Sequence, residues 1–352
     1  MKEIVVWTHG YHFQNTRSFL FPLILFKKYF ESKGLRISIF NKPHISKKKS
    51  ILFIESNFFG KKLLTDHDEV IRLLKTAKKE FSKVIYFDLS DSTSLLHPQI
   101  IKYVDIYSKS QLLKDKNLYK KRYYGNRIYT DFVFRKYKII DEVKSYSFSI
   151  NEKLIKKLRI HWNSSIGNYT YIGRILDKLY EKSKFRMFLR TPVKPQIFKK
   201  KKKDLFYNMN VKYSRKTVSW YREAAFKNLN LEVPKRIKIY KYFIELEKSK
   251  VSLSPFGWGE INYRDFESFI YCSLLLKPNM SHLETWPNLY QDKNYISYSW
   301  NGNDLMEKLK KIKKNYPYYS KIAQNGHDFY FNQLQNENLK KNIYKRLLNL
   351  IS

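Results

Sequence analysis

The 352-residue sequence holds a single cysteine, Cys272, so no disulfide can form within the chain and a reducing compartment is expected. Cys272 lies in the apolar run FIYCSLLL, which suits packing better than nucleophilic chemistry. Long hydrophobic runs are also missing. The richest, SFLFPLILF, is cut by Lys27 and Lys28, well short of the ~20 apolar residues that cross a bilayer. The N-terminal MKEIVVWTHGYHFQ has neither the apolar core nor the small-residue cleavage site of a signal peptide, so a cytoplasmic protein is expected. There is no HExxH, no CxxC and no phosphate-binding P-loop signature, and the eight histidines are scattered. A metal-independent protein is the expectation.

Acidic residues are scarce as well, 31 against 69 Lys and Arg, giving a formal net charge of +38. Such an excess suits a polyanionic partner. The lysines are nevertheless dispersed along the chain, with no recognisable nucleic-acid module, so nucleic acid is not expected as a partner. A basic nucleic-acid-binding protein stands as the alternative class. The one low-complexity segment, Lys199 to Lys203, suits peripheral attachment to an anionic membrane surface.

What is present is the material of ordered cores: 43% hydrophobic and 17% aromatic residues, in a chain long enough for two domains. EIVVWTH, LRISIFN, SILFIES, KVIYFDLS and YVDIYSKS read as strands, alternating with the helical patterns SFLFPLILFKKYFESKG and DHDEVIRLLKTAKKEF. After a mostly helical stretch from Lys153 to Lys184, the pattern restarts with FRMFLR and KDLFYNMNV as strands. TVSWYREAAFKNL follows as a helix, KVSLSPFG as a strand, RDFESFIYC as a helix and SLLLKP as a strand. The fold class read from this is α/β, with two facing Rossmann-like domains and a cleft between their strand ends. The expected bounds are 1–182, 183–331 and a C-terminal helix at 332–352 that packs back on the first domain.

The stretch SPFGWGEINYRDFESF, residues 254–269, concentrates the chemistry. Gly257 and Gly259 let the backbone turn and approach a ligand without a Cβ in the way. Arg264 and Glu267, three apart on a helix, share a face. A helix N-terminus behind glycines, with an arginine in its first turn, suits a phosphate, and a carboxylate one turn further suits sugar hydroxyls. YSRKTVSWYREAAF adds Arg215 and Arg222 near the start of another helix, and MSHLETWP places His282 and Glu284 beyond a strand end. In the first half, THGYHF brings His9 and His12, and YFDLSDSTS brings Asp88 and Asp91, to strand-end loops. Each of these four is a candidate general base.

From about Lys250 to Phe331 the chain resembles the donor site of glycosyltransferases with the GT-B fold. The glycine turn leads to a glutamate-bearing helix, then to SFIYCSLLLKPNMSHLETWPNLY and the closing IAQNGHDFYF. The likeness is nearest to bacterial enzymes that build surface polysaccharides such as lipopolysaccharide or capsule, and to the exostosin-like pattern of glycine turn, Arg and Glu. It implies a nucleotide sugar as co-substrate with no further cofactor, and a glycan or lipid-linked glycan as acceptor in the first half. Glu267 would then meet the ribose, Arg264 and the backbone at Gly257 and Gly259 the diphosphate, and Glu260 the transferred sugar. Arg215 and Arg222 would add cations for the phosphates. Glu260 and Glu267 stand one residue closer than is common among retaining members, which leaves the stereochemical outcome open. Another sugar-nucleotide enzyme, such as an epimerase, shares these requirements.

Overall fold

The computed structural model describes residues 1–45, 50–195, 201–334 and 336–352. Lys199 and Lys200 of the five-lysine segment lie outside them. Among the described residues the strands run β1 (Lys2–Trp7), β2 (Leu35–Phe40), β3 (Ile51–Glu55), β4 (Lys83–Asp88), β5 (Ile106–Lys109), β6 (Gln111–Leu113) and β7 (Leu158–Ile160). They continue as β8 (Lys203–Phe206), β9 (Ser249–Leu253), β10 (Leu274–Pro278), β11 (Leu283–Thr285) and β12 (Ile296–Tyr298).

Six strands form a sheet in the order β2-β1-β3-β4-β5-β7, every pair parallel. Strands buried on both faces read as continuous apolar runs, and in β3 all five residues are buried. The helix His67–Glu80 turns Val70, Leu74 and Ala77 inward, and Asp66 caps it by accepting from the Glu69 N–H at 3.0 Å. Strand order reverses between β1 and β3, which opens a crevice at their carboxyl ends. The second sheet, β12-β10-β9-β8, is also wholly parallel. Val251 and Leu253 of β9 sit in register with Leu274 and Leu276 of β10, over Phe226 and Ile312. The α/β class with two parallel sheets is as the sequence indicates.

The two lobes are tied together. β11 from the second half pairs antiparallel with β6 from the first, Leu283 opposite Leu113. One hydrophobic core runs through both, joining Ile4, Phe19, Phe87 and Trp162 to Phe256, Phe266, Tyr330 and Leu347. The helix Asn336–Ile351 lies against the first lobe: Tyr344 stacks on Phe30 at 6.4 Å, and Arg346 Nη1 donates to the Ile160 carbonyl at 3.3 Å.

Three local readings differ. The stretch from Lys153 to Lys184, read as mostly helical, contains β7, an edge strand too short to show an alternating period between two lysine-rich helical patterns. FRMFLR is a single 3-10 turn, Arg186–Phe188, instead of a strand. Lys184 ends the preceding helix in the left-handed region, and the chain folds back to bury Leu189. The helix Tyr316–Leu334 escapes the pattern because its buried face mixes Gly326 and His327 with Ala323, Tyr330, Phe331 and Leu334.

Candidate functional site

Between the lobes lies a cleft of about 670 Å³. The first lobe contributes Phe13 and Asn15 beyond β1, Ser56 and Asn57 beyond β3, and Asp88 to Ser92 at the end of β4, with His97 and Arg127. The second contributes Trp258, Gly259, Ile261, Asn262 and Tyr263, together with Tyr213. These are strand-end loops, where the doubly wound rule puts ligands.

The glycine turn is held from the first lobe. Tyr129 Oη donates to the Gly257 carbonyl at 2.7 Å and Arg127 Nε to the Trp258 carbonyl at 2.8 Å. A Cβ on Gly259 would stand 2.7 Å from the Asp91 carbonyl oxygen, and one on Gly257 would stand 2.9 Å from Arg222 Nη2. Close approach, not a left-handed backbone, is what requires glycine here.

Asp88 is buried, and its partners occupy both oxygens: Tyr107 Oη at 2.5 Å, Lys109 Nζ at 2.7 Å and the Ser90 N–H at 2.8 Å. Burial pushes its pKa up, but the Lys109 charge and these hydrogen bonds outweigh that and hold it well below the usual carboxylate range. Asp91, by contrast, is exposed to the cleft. Its Oδ1 accepts from Asn15 Nδ2 at 2.8 Å, and Asn15 Oδ1 accepts from Tyr263 Oη at 2.7 Å. A hydrogen-bonded chain from the second lobe thus orients a carboxylate of the first. Arg127 stacks on Trp258 at 5.3 Å and makes no ion pair among the described residues, so its remaining N–H groups are free for an anion. Burial lowers the pKa of His97, against the pull of the Asp88 charge.

Other residues singled out in the sequence lie elsewhere. Arg264 and Glu267 do not line the cleft. Arg264 donates to the carbonyls of Leu253 at 3.3 Å and Asn208 at 2.5 Å, over the rings of Phe206 and Tyr242. Glu267 is buried between Arg174 Nη2 at 2.5 Å and Tyr242 Oη at 2.6 Å. Arg222 stacks on Tyr213 at 4.8 Å and donates to the Asn210 carbonyl, and Arg215 reaches the Gly125 carbonyl at 2.9 Å. Glu260 is buried behind the turn, with Oε2 accepting from the Thr93 N–H at 3.3 Å and Oε1 unpartnered, and burial raises its pKa. His282 packs edge-on to Trp300, and burial lowers its pKa to about 4. Glu284 pairs with Lys116 on the β6–β11 ribbon. His9 is exposed with its ring against Phe13, and His12 pairs with Glu181 at 3.1 Å, away from the cleft lining.

The sequence contains one Asp-x-Asp spacing, Asp66-His67-Asp68, at the start of the His67–Glu80 helix. No cluster of three or more His, Cys, Asp or Glu able to hold a metal ion occurs among the described residues.

No protein-family model matches the sequence, and neither does any curated protein. Among solved structures, the chain is similar to two of Anabaena HepE, one in complex with UDP-glucose and one with UDP and glucose. Both are 7% identical with a TM-score of 0.44, over 99% of this chain and 100% and 99% of theirs.

Proposed function

We propose that the protein is a glycosyltransferase that moves a sugar from a nucleotide-activated donor to a glycan or lipid-linked glycan acceptor in the interlobe cleft. The observation that carries this reading is an arginine of the first lobe, free of ion pairs among the described residues and set against the glycine turn of the second lobe, in the same cleft as an open, oriented carboxylate, Asp91. In this reading transfer uses those two groups. An acceptor hydroxyl attacks the anomeric carbon, the bond from that carbon to the diphosphate oxygen breaks, and the hydroxyl proton passes to Asp91. The diphosphate leaves with its charge facing Arg127 and the backbone at Gly259, while Gly257 is buried behind the turn with its N–H donated to the Gly259 carbonyl. In this reading Arg264 and Glu267 position the helix behind the turn, and no metal is required because an arginine meets the departing charge. A role in bacterial surface-polysaccharide synthesis, at the inner face of the cytoplasmic membrane, fits the resemblance of the donor segment.

The test combines two measurements. Nucleoside diphosphates of uridine, guanosine and adenosine, and cytidine monophosphate, are screened for raising the melting temperature of the pure protein, since a ligand of the native state stabilises it. With the nucleotide so found, Asp91→Ala is expected to lower transfer by about 10²- to 10⁴-fold while nucleotide affinity is unchanged. Arg127→Ala is expected to weaken nucleotide binding itself. Normal turnover in Asp91→Ala removes it as the base. The absence of any nucleotide effect on melting removes the transferase reading.

A further inference from the structure

The helix Tyr171–Ser183 is amphipathic in the reverse sense. Three of its charged residues face the protein: Arg174 pairs with Glu267, Asp177 accepts from Tyr11 Oη at 3.4 Å, and Glu181 pairs with Arg17 at 2.5 Å. Its apolar residues Ile172, Ile175 and Leu179, spaced three and four apart on one stripe, face outward with 65%, 44% and 41% of their surface exposed. The inward face is held by buried Gly173 and Tyr180, with Tyr180 edge-on to Tyr11 at 4.6 Å, and the apolar stripe is left uncovered.

The stripe does not stand alone. The helix Ile239–Glu247 lies beside it, joined through the Tyr171–Phe243 ring contact at 6.0 Å and Arg174 over Phe243 at 5.3 Å, and exposes Ile239, Tyr240 and Ile244. Phe185 and Met187 follow the first helix directly and are exposed by 64% and 63%. Around these apolar residues stand exposed cations: Lys178, Lys182 and Lys184 on one side, Lys238 and Lys241 on the other. Among the described residues none of the five makes an ion pair, whereas two acids of the same helices, Glu181 and Glu245, are paired with Arg17 and Lys203. An apolar centre with an uncompensated basic rim complements an anionic lipid surface, where hydrocarbon accepts the isoleucines and leucine and headgroups meet the lysines. A second cavity of about 410 Å³ opens within this face between Tyr171, Ile175 and Ile239. Gln14 lines both it and the interlobe cleft.

We propose that this face, formed by the helices Tyr171–Ser183 and Ile239–Glu247, docks the protein on anionic membranes. The docking does not rest on the chemistry assigned to the cleft, so vesicle binding and sugar transfer can fail separately.

Flotation with vesicles of phosphatidylcholine containing one quarter phosphatidylglycerol provides the test. Wild-type protein is expected to float with these vesicles, less so at high salt, and not with pure phosphatidylcholine. Ile172→Ser combined with Leu179→Ser and Ile244→Ser changes side chains that are 65%, 41% and 43% exposed, so the fold is expected to be retained with a slightly lower melting temperature while vesicle partition falls about tenfold or more. Lys178→Gln with Lys182→Gln is expected to give a smaller loss and a shallower dependence on salt, since Lys184, Lys238 and Lys241 remain. Sedimentation of both forms decides the competing occupant. A wild-type dimer that the serine triple variant converts to monomer would assign the face to a second copy of the chain and overturn the proposal. Wild-type protein that does not float, or a triple variant that floats unchanged, overturns it as well.

Discussion

Asp88 and Lys109 in the first lobe, and Asp265 and Lys277 in the second, are four charged residues with no exposed surface. Both pairs are close, 2.7 Å and 3.0 Å, and in both a tyrosine and a backbone N–H complete the aspartate's partners. Their positions differ. Asp88 and Lys109 sit in register at the ends of β4 and β5, where Asp88 borders the cleft and Lys109 also holds Ser90 of the cleft loop at 2.8 Å. Asp265 lies inside the second lobe, tying the Asn262 N–H and the Ser254 hydroxyl to Lys277, and so fixes both ends of the glycine turn from behind. A buried ion pair adds little net stability against an apolar replacement of both partners, while loss of one partner is costly. The two pairs therefore define loop geometry on either side of the cleft, one bordering it and one set inside its lobe.

The inner pair is expected to show the larger effect. Lys277→Met leaves the Asp265 charge buried without its cation and should cost about 3–5 kcal/mol, measured by denaturant unfolding. Lys109→Met is expected to cost less, about 1–3 kcal/mol, because Asp88 borders the cleft. Equal losses in the two variants would mean that Asp88 is as dry as Asp265, and the contrast would fail.

Acid sharpens the same contrast. Because the Asp88 pKa is depressed in the folded protein, its charge stabilises the fold above the unfolded carboxyl value of ~3.9, and that stability is lost as pH falls through the lower folded value. In Lys109→Met, with the cation gone, the acid limb of the stability profile should begin at higher pH. Denaturant midpoints of the two proteins across the acid range check this.

Glu260 should give the smallest change, of opposite sign. Burial raises its pKa, so its contribution to stability is fully present below the unfolded value of ~4.3 and is lost as pH rises through the folded value. Glu260→Gln removes the ionisation and is expected to raise stability at neutral pH by about 1 kcal/mol, read from the melting temperature. A destabilised glutamine variant would show that Glu260 carries its charge in the fold.

Strands with every residue buried, such as β3, were legible because the run is short, rich in isoleucine and phenylalanine, and bounded by polar residues. Asp88, Asp91 and Gly259 reach the cleft as their places at strand ends indicate. Arg127, Asn15 and Tyr263 were not legible as site residues, since each acts through a partner distant in sequence: Trp258 for Arg127, and Asp91 and Tyr263 for Asn15. The i, i+3 spacing correctly put Arg264 and Glu267 on one helix. Spacing carries no information on what that face meets, and here it meets Asn208, Arg174 and Tyr242.

The β6–β11 ribbon bears on how such a cleft copes with solvent. With the halves stitched by paired backbone and one shared core, swinging them apart would expose apolar surface, so large opening and shutting motions are opposed. If the cleft runs transfer chemistry, wide jaws closing over the donor are then not the means of keeping it dry. The acceptor itself becomes the stopper: whatever occupies the space beside Asp91 displaces the water that would otherwise take its place as nucleophile. Wasteful hydrolysis of the donor would then be greatest when no acceptor is bound, and fidelity would depend on the order in which the two substrates arrive.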